Sequence, residues 1–171
     1  MRILHVVGRQ NNGKTTLVCD LVAELSARGF RVGTIKHSTH DHELDREGKD
    51  SHRHRIAGAR PAAVITAGQL AVYLPRRAEE DPIAALAPLF EACDLVLVEG
   101  FIEREGPKIE VWRREIGKPL LARERPGIVA VVSDDAPEAP VPVWPRSDVA
   151  GLASRVIATL GLTPCSGDRR R

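Results

Sequence analysis

The chain has 171 residues, of which 43% are hydrophobic and 4% aromatic, so its composition predicts one folded domain and excludes a disordered chain. The formal net charge is +2, and the arginines at 169–171 end the chain, so the rest is near neutral and no nucleic-acid-binding face is indicated. No apolar run reaches about 18 residues, so we expect no membrane span, and three widely spaced cysteines favour a cytoplasmic, reducing setting.

Strands and helices alternate through the first half of the chain. An apolar strand is predicted over residues 2–8, too short for a signal peptide. A helix follows from about Lys14, because Leu17, Leu21 and Leu25 form one apolar stripe. The remaining elements of this half are a strand, a short helix and a hairpin, predicted at 30–35, at about 49–57, and at 62–66 with 69–74.

The second half continues the alternation. Asp81-Pro82 is typical of a helix start, and the apolar residues up to Phe90 predict one helix face. The run Leu95 to Val98 is typical of a strand buried on both faces. Two more strands, a short edge strand and a last helix are predicted at 109–112, at 128–132, at 141–144 and from about 148.

This order of elements predicts an α/β protein. Strands alternating with helices favour a three-layer α/β/α domain with a mainly parallel sheet. We expect the domain to cover residues 1–161 and the basic tail, 162–171, to be disordered.

The turn after the first strand matches the P-loop pattern G-x-x-x-x-G-K-[ST] in full. An apolar strand precedes it and an amphipathic helix follows, which is the context that the pattern requires. The predicted fold is therefore the three-layer α/β/α P-loop NTPase fold. Backbone N–H groups of such a turn bind phosphate oxygens, and the lysine reaches the outer phosphates. The predicted phosphate-binding residues are Gly8, Asn11, Asn12, Gly13, Lys14, Thr15 and Thr16.

A carboxylate near the bound metal is also expected. Asp94 and Glu99 bracket the buried fifth strand, and ligands of parallel sheets lie beyond the carboxyl ends of the strands. Glu99 is therefore the predicted Mg²⁺ residue, together with the hydroxyl of Thr15. The alternative is that Glu99 pairs with a lysine such as Lys108.

Lys36 and His37 close the second strand at the same edge of the sheet, so both are candidate nucleotide-binding residues. The histidines at 37, 40 and 42 suggest either a polar switch-like loop near the γ-phosphate or a transition-metal site. We favour the loop, because no cysteine or regular helical spacing supports a closed zinc site.

The residue that reads the base is less evident, because the Asn-Lys-x-Asp motif of many GTPases is absent. Asp134 and Asp135 follow a predicted strand at its carboxyl end. A carboxylate there can accept hydrogen bonds from the N1–H and 2-amino groups of guanine, and Asp134 is the first candidate. Two solvated turn aspartates are an equally good interpretation.

Several segments resemble, in order, the molybdopterin-guanine dinucleotide biosynthesis protein B (MobB) family of P-loop GTPases, over about residues 1–161. They are Gly-Lys-Thr-Thr-Leu at 13–17, Lys-His at 36–37 with His40, Gly-Lys-Asp-Ser at 48–51, Ala-Gly-Ala at 57–59, Val-Glu-Gly-Phe at 98–101 and Pro-Lys-Ile-Glu at 107–110. The resemblance implies a homodimer that binds GTP, hydrolyses it weakly and assists molybdopterin guanylyltransferase. Members often carry Lys and Ser where this chain has Gln10 and Asn12, which bears on the rate of hydrolysis.

Two other functions remain open. One is a P-loop small-molecule kinase or a dethiobiotin-synthetase-like ATP-dependent enzyme, with a lid built from Arg113, Arg114, Arg123 and Arg125. The other is a metallochaperone GTPase, which the histidine-rich loop alone supports.

Overall fold

The computed structural model describes residues 1–40, 43–77 and 79–163, and the chain divides into two compact units. The larger unit comprises Met1–Ser38 and the chain from Leu89 onward, and the smaller comprises Thr39–Pro88. His42 and residues 164–171, which include most of the predicted tail, lie outside the described residues. Within the described ranges, every helix is too short or too polar to cross a membrane.

The described residues form eight strands and four α-helices, together with three short 3-10 helices. The strands are β1 (Ile3–Val7), β2 (Val32–Lys36), β3 (Ala62–Ile65), β4 (Leu70–Tyr73), β5 (Leu95–Glu99), β6 (Lys108–Val111), β7 (Ile128–Val132) and β8 (Val143–Trp144). The helices are α1 (Lys14–Ala27), α2 (Asp50–Ile56), α3 (Pro82–Leu86) and α4 (Val149–Leu160).

The sheet of the larger unit has six strands in the order β2-β5-β1-β6-β7-β8, and every neighbouring pair is parallel. The predicted α/β class with a mainly parallel sheet is therefore confirmed. The short strand β8 lies at the edge, as the proline-rich segment predicts, because a missing N–H is tolerated there. The carboxyl ends of β1, β2, β5, β6 and β7 meet along one edge of the sheet.

The helix predicted from Asp81 to Phe90 is wrong in its length. Helix α3 ends at Leu86, and residues Ala87–Phe90 form a 3-10 helix. Pro88 explains the change, because it lacks the N–H needed to continue an α-helix and its ring crowds the preceding turn.

Helices α1 and α4 pack on each other and on one face of the sheet. Leu17, Leu21 and Leu25 of α1 are buried against the sheet, as their spacing predicts. Asp148 caps α4 by accepting a hydrogen bond from the Gly151 N–H at 2.9 Å. The buried apolar stripes fix α1, and so they fix the turn that precedes it.

The opposite face of the sheet contains three buried polar side chains, His5, Lys108 and Glu110. Both Glu110 oxygens accept backbone hydrogen bonds, from Leu121 N at 2.8 Å and Ala122 N at 2.9 Å. Burial raises the pKa of Glu110 and lowers the pKa of His5. Glu110 thereby holds a 3-10 turn, Leu121–Arg123, against this face.

The smaller unit contains α2, α3 and an antiparallel hairpin of β3 and β4, as predicted. Asp45 accepts hydrogen bonds from the hydroxyls of Ser51 and Tyr73 at 3.2 and 3.1 Å, which ties the start of α2 to the hairpin. One hairpin face carries exposed apolar side chains, with Ile65 and Leu70 81% and 67% exposed.

Gly33 in β2 gives a test of the packing. A Cβ atom at position 33 would lie 2.5 Å from Phe90 Cδ1 and 3.1 Å from Cys93 Sγ. We predict that Gly33→Ala lowers the free energy of unfolding by about 1–3 kcal/mol, because these neighbours must move. Urea denaturation followed by circular dichroism measures this change in the free energy of unfolding. The control is Gly68→Ala, where a Cβ meets no atom within 4 Å, and an equal effect in both variants contradicts the prediction.

Candidate functional site

The loop between β1 and α1 lies unusually close to β6. Gly8 has φ +148°, and a Cβ there would lie 2.5 Å from the Val111 carbonyl oxygen. The Asn12 side-chain amide donates to the same oxygen at 3.0 Å. Gly13, at φ +86°, precedes the first residue of α1 without a side-chain cap. The predicted glycines are therefore required by the backbone at both ends of the loop.

The first turn of α1 has the groups that an anion needs. Because Gly13 supplies no cap, the N–H groups of the first turn point out of the helix without an intrahelical partner. The Asn12 side-chain oxygen is buried and has no hydrogen-bond partner among the described residues. Helix dipole and free donors together favour negative charge at this position, so these residues fit a phosphate group.

Lys14 folds back onto the loop. Its Nζ donates to the Arg9 carbonyl oxygen at 2.9 Å. Burial lowers the pKa of Lys14, an effect that the Glu99 carboxylate partly opposes. A phosphate beside this ammonium would relieve the same electrostatic cost, so the charge of Lys14 is well placed to bind one.

A hydroxyl, a carboxylate and an ammonium group meet where α1 begins and where β5 and β2 end. They belong to Thr15, Glu99 and Lys36. The Thr15 hydroxyl donates to Glu99 Oε1 at 2.8 Å, and Lys36 Nζ lies 3.6 Å from the same oxygen. The Glu99 side chain is 12% exposed, whereas that of Lys36 is 68% exposed. A hydroxyl and a carboxylate oxygen are suitable Mg²⁺ ligands, so the predicted metal residues fit such an ion.

The alternative predicted for Glu99, a pair with a lysine, is found with Lys36 and not with Lys108. Lys108 Nζ donates instead to the Gly106 carbonyl oxygen at 3.3 Å. Asp94, at the other end of β5, pairs with Arg31 at 2.9 Å. Of the two acidic residues that bracket this strand, Glu99 is therefore the one beside the β1–α1 loop, and its role as a metal ligand stays a prediction.

His37 lies beside the same edge and stacks on Phe101, with ring centroids 4.1 Å apart. Phe101 has φ +60°, which is rare for an aromatic residue and is often associated with functional loops. Within the described residues no group of three or more His, Cys, Asp or Glu side chains could hold a metal. The third histidine of the predicted loop, His42, lies outside these residues.

A pocket of about 300 Å³ opens at the carboxyl ends of β6 and β7, and Asp134 and Asp135 line it. Asp134 Oδ1 accepts hydrogen bonds from the Ser147 N–H at 2.9 Å and its hydroxyl at 3.0 Å. The Ser147 N–H contributes most to lowering the pKa of Asp134. Asp134 thus anchors a neighbouring loop, and its predicted role as the base reader stays a prediction.

Arg113 and Glu115 line the same pocket and were not predicted as binding residues. Arg113 Nη2 would lie 3.0 Å from a Cβ at Gly13, so its guanidinium lies beside the β1–α1 loop. Both residues lie shortly after the end of β6 at Val111, so the carboxyl-end rule that selected Glu99 as a candidate could also have found them.

A contact between Arg9 and Glu124 also escaped prediction. Arg9 Nη2 donates to both Glu124 oxygens, at 3.1 and 3.0 Å. No sequence pattern indicates this contact, because 115 positions separate the two residues.

The four arginines considered for a kinase lid have separate local partners. Arg114 donates to the Asp135 carbonyl, Arg123 to the Glu138 carbonyl and Arg125 to the Glu103 carboxylate. Arg113 pairs with Glu115 at 3.2 Å and is the one of the four that covers the loop. These contacts hold loops in place and do not favour a common lid.

A parallel α/β sheet with the loop at the end of its central strand defines the class of α/β proteins with a P-loop-like fold. Residues 3–134 match the family model described as "Molybdopterin guanine dinucleotide synthesis protein B", or MobB. The chain belongs to this family.

Named relatives and solved structures agree with this assignment. The "Molybdopterin-guanine dinucleotide biosynthesis adapter protein" of Escherichia coli (strain K12) is 38% identical over 159 residues, covering 91% of each chain. The Haemophilus influenzae protein of the same name is 40% identical over 120 residues, covering 69% of this chain and 67% of the relative. The crystal structure of Bacillus subtilis MobB superposes with a TM-score of 0.73 at 27% identity, covering 94% of this chain and 98% of that one.

The Thr15–Glu99 contact predicts how metal affects nucleotide binding. We expect Glu99→Gln to remove most of the Mg²⁺ dependence of nucleoside triphosphate binding, because an amide oxygen is a weaker ligand than a carboxylate. Titrations with and without Mg²⁺ measure this effect, with nucleoside diphosphate binding in the absence of metal expected to be unchanged. Glu105→Gln, an exposed change of the same charge, is the control. Equal Mg²⁺ dependence in Glu99→Gln and the parent would assign the metal to another carboxylate.

Proposed function

We propose that this chain binds GTP and Mg²⁺ and acts as an adapter for the guanylyltransferase that joins GMP to molybdopterin. The observation that carries the binding proposal is the complete P-loop sequence whose Thr15 hydroxyl contacts Glu99 at 2.8 Å. Membership of the MobB family, and the names of its relatives, support a role in molybdenum cofactor biosynthesis.

The side chains along the carboxyl-end edge of the sheet suggest how a bound nucleotide would be oriented. Glu99 and Lys36 lie on the β5 and β2 side of the loop, so the metal and the outer phosphates belong there. The nucleoside then extends to the other side, toward β6 and β7, where the pocket of about 300 Å³ opens. That volume is at the lower end of the roughly 300–1,000 Å³ typical of small-molecule sites.

Slow hydrolysis is part of the proposal. Phosphoryl transfer to water requires a positioned nucleophile and added positive charge on the transition state. Lys14 and Lys36 supply two cations at the phosphate end. Arg9 is held by Glu124 in a bidentate pair. We propose that a second subunit or the partner enzyme supplies the remaining charge.

A homodimer is the proposed assembly, and the hairpin supports it. Ile65, Leu70 and Val72 share one exposed face of β3 and β4, since Ile65 pairs with Leu70 and Ala63 with Val72. A two-stranded sheet with a bare apolar face is marginally stable by itself, and such a patch is typical of an interaction surface. We assign this face to contact with a second copy.

We place the protein in the cytoplasm. Cys19 and Cys93 are both free thiols, which suits a reducing compartment.

Lys14 is the residue that tests nucleotide binding most directly. We predict that Lys14→Ala weakens GTP affinity by about 100-fold or more, because it removes the cation that faces the outer phosphates. The fold should persist, since the ammonium contacts one loop carbonyl. Isothermal titration with GTP, GDP and ATP measures the change, and Lys118→Ala is the matched control. Unchanged GTP affinity in Lys14→Ala would overturn the binding proposal.

The adapter role is tested with the partner enzyme. We expect the isolated protein to hydrolyse GTP well below about 1 per second, and to increase guanylylation of molybdopterin when GTP is limiting. Guanylylation by the purified transferase is measured with the parent, with Lys14→Ala and without addition. Turnover of about 10 per second or faster, with no effect on guanylylation, would identify an independent enzyme instead.

A further inference from the structure

The pocket beside β6 and β7 is lined by three carboxylates, and one of them has a side-chain partner instead of a backbone N–H group. They belong to Glu115, Asp134 and Asp135. Guanine differs from adenine in presenting an N1–H and a 2-amino group side by side, and a carboxylate can accept both hydrogen bonds. The question is therefore which of the three can receive them.

Two of these carboxylates already accept hydrogen bonds from backbone N–H groups. Asp134 accepts the N–H and the hydroxyl of Ser147. Asp135 Oδ2 accepts the Arg114 N–H at 2.8 Å. Reorienting either carboxylate toward a base would release backbone donors in the loops that shape the pocket, which costs free energy. Both aspartates are thus better suited to building the pocket than to reading its ligand.

Glu115 is arranged differently. Its side chain is 68% exposed, and its recorded partner in the described structure is the guanidinium of Arg113, at 3.2 Å from Oε1. It lies in the 3-10 turn Arg114–Ile116 that directly follows β6. A glutamate here can approach a ligand without breaking a backbone hydrogen bond.

Arg113 ties Glu115 to the phosphate-binding loop. Its guanidinium lies beside Gly13 at the start of α1, where the helix dipole is positive. A cation in that position requires nearby negative charge, which Glu115 supplies now and a phosphate would supplement. The pair therefore spans from the loop to the pocket, along the path that a nucleoside would follow.

We propose that Glu115 is the specificity residue of the pocket, accepting the N1–H and 2-amino hydrogen bonds of a guanine base while Arg113 positions its carboxylate. This rests on the proposed function, in which the P-loop holds the phosphates. The ligand class is 2-amino-6-oxopurine nucleotides. Adenine presents an acceptor at N1 and has no 2-amino group, and xanthine has a carbonyl at position 2, so both lack part of the match.

The test is Glu115→Gln, with the non-hydrolysable analogues of GTP, ATP and xanthosine triphosphate titrated against each variant. We expect GTP-analogue affinity to fall by about 10- to 100-fold, because the charged acceptor is lost. Affinity for the xanthosine analogue should rise, because the glutamine amide can donate to the carbonyl at position 2. Affinity for the ATP analogue should stay unchanged, which shows that the phosphate site is intact.

Glu138→Gln is the charge-matched control outside the pocket, and Asp134→Asn tests the other candidate. If the parent prefers the GTP analogue and Glu115→Gln keeps the same preference, Glu115 is not the specificity residue. That outcome would not contradict GTP binding itself. If affinity for the xanthosine analogue rises in Asp134→Asn and not in Glu115→Gln, Asp134 is the residue that recognises the base. A parent that binds the ATP analogue as tightly as the GTP analogue contradicts the proposed guanine specificity itself.

Discussion

The close approach of the loop after β1 to the end of β6 is the constraint on which the site depends. Gly8 leaves no room for a Cβ against the Val111 carbonyl, and Asn12 donates to that same oxygen. The Asn12 amide thereby joins the loop to the end of β6 by a side-chain hydrogen bond. Because β6 continues into Arg113 and Glu115, the contact also brings the pocket next to the first turn of α1.

A cluster of charged side chains lies on each side of this loop. On one side Glu99 gathers the Thr15 hydroxyl and the Lys36 ammonium, and on the other Arg113 pairs with Glu115. Each cluster balances charge in the absence of a ligand, and each contains groups that an anion or a cation could engage. Burial lowers the pKa of Lys14 in the same loop, and negative charge beside its ammonium would favour the charged form.

A chain of polar contacts supports the loop from the face of the sheet that α1 does not cover. Glu110 accepts hydrogen bonds from the N–H groups of Leu121 and Ala122. Glu124 directly follows that turn, and its carboxylate accepts hydrogen bonds from Arg9. Buried carboxylates are costly unless they are hydrogen-bonded, and these backbone donors satisfy Glu110. The buried glutamate therefore helps to fix Arg9 of the β1–α1 loop without contacting it.

The amino-acid sequence by itself determined the parallel α/β class, most element positions, the glycine-bounded loop after β1 and the position of Glu99, rather than Asp94, beside that loop. These features depend on local spacing: apolar periodicity, a glycine pattern between a strand and a helix, and the end of a strand at which a residue lies. The end of α3 before Pro88 was missed, although proline acts on its own turn and could have indicated it.

Only the tertiary structure decided which strands are neighbours, and thus which loops share the site. Strand β6 lies beside β1 although about a hundred positions separate Asn12 from Val111. Arg9 with Glu124 and Gly13 with Arg113 are similarly distant in sequence. Such pairs leave no periodic signal, because their proximity is set by the strand order and by the packing of the whole sheet rather than by the spacing of residues along the chain.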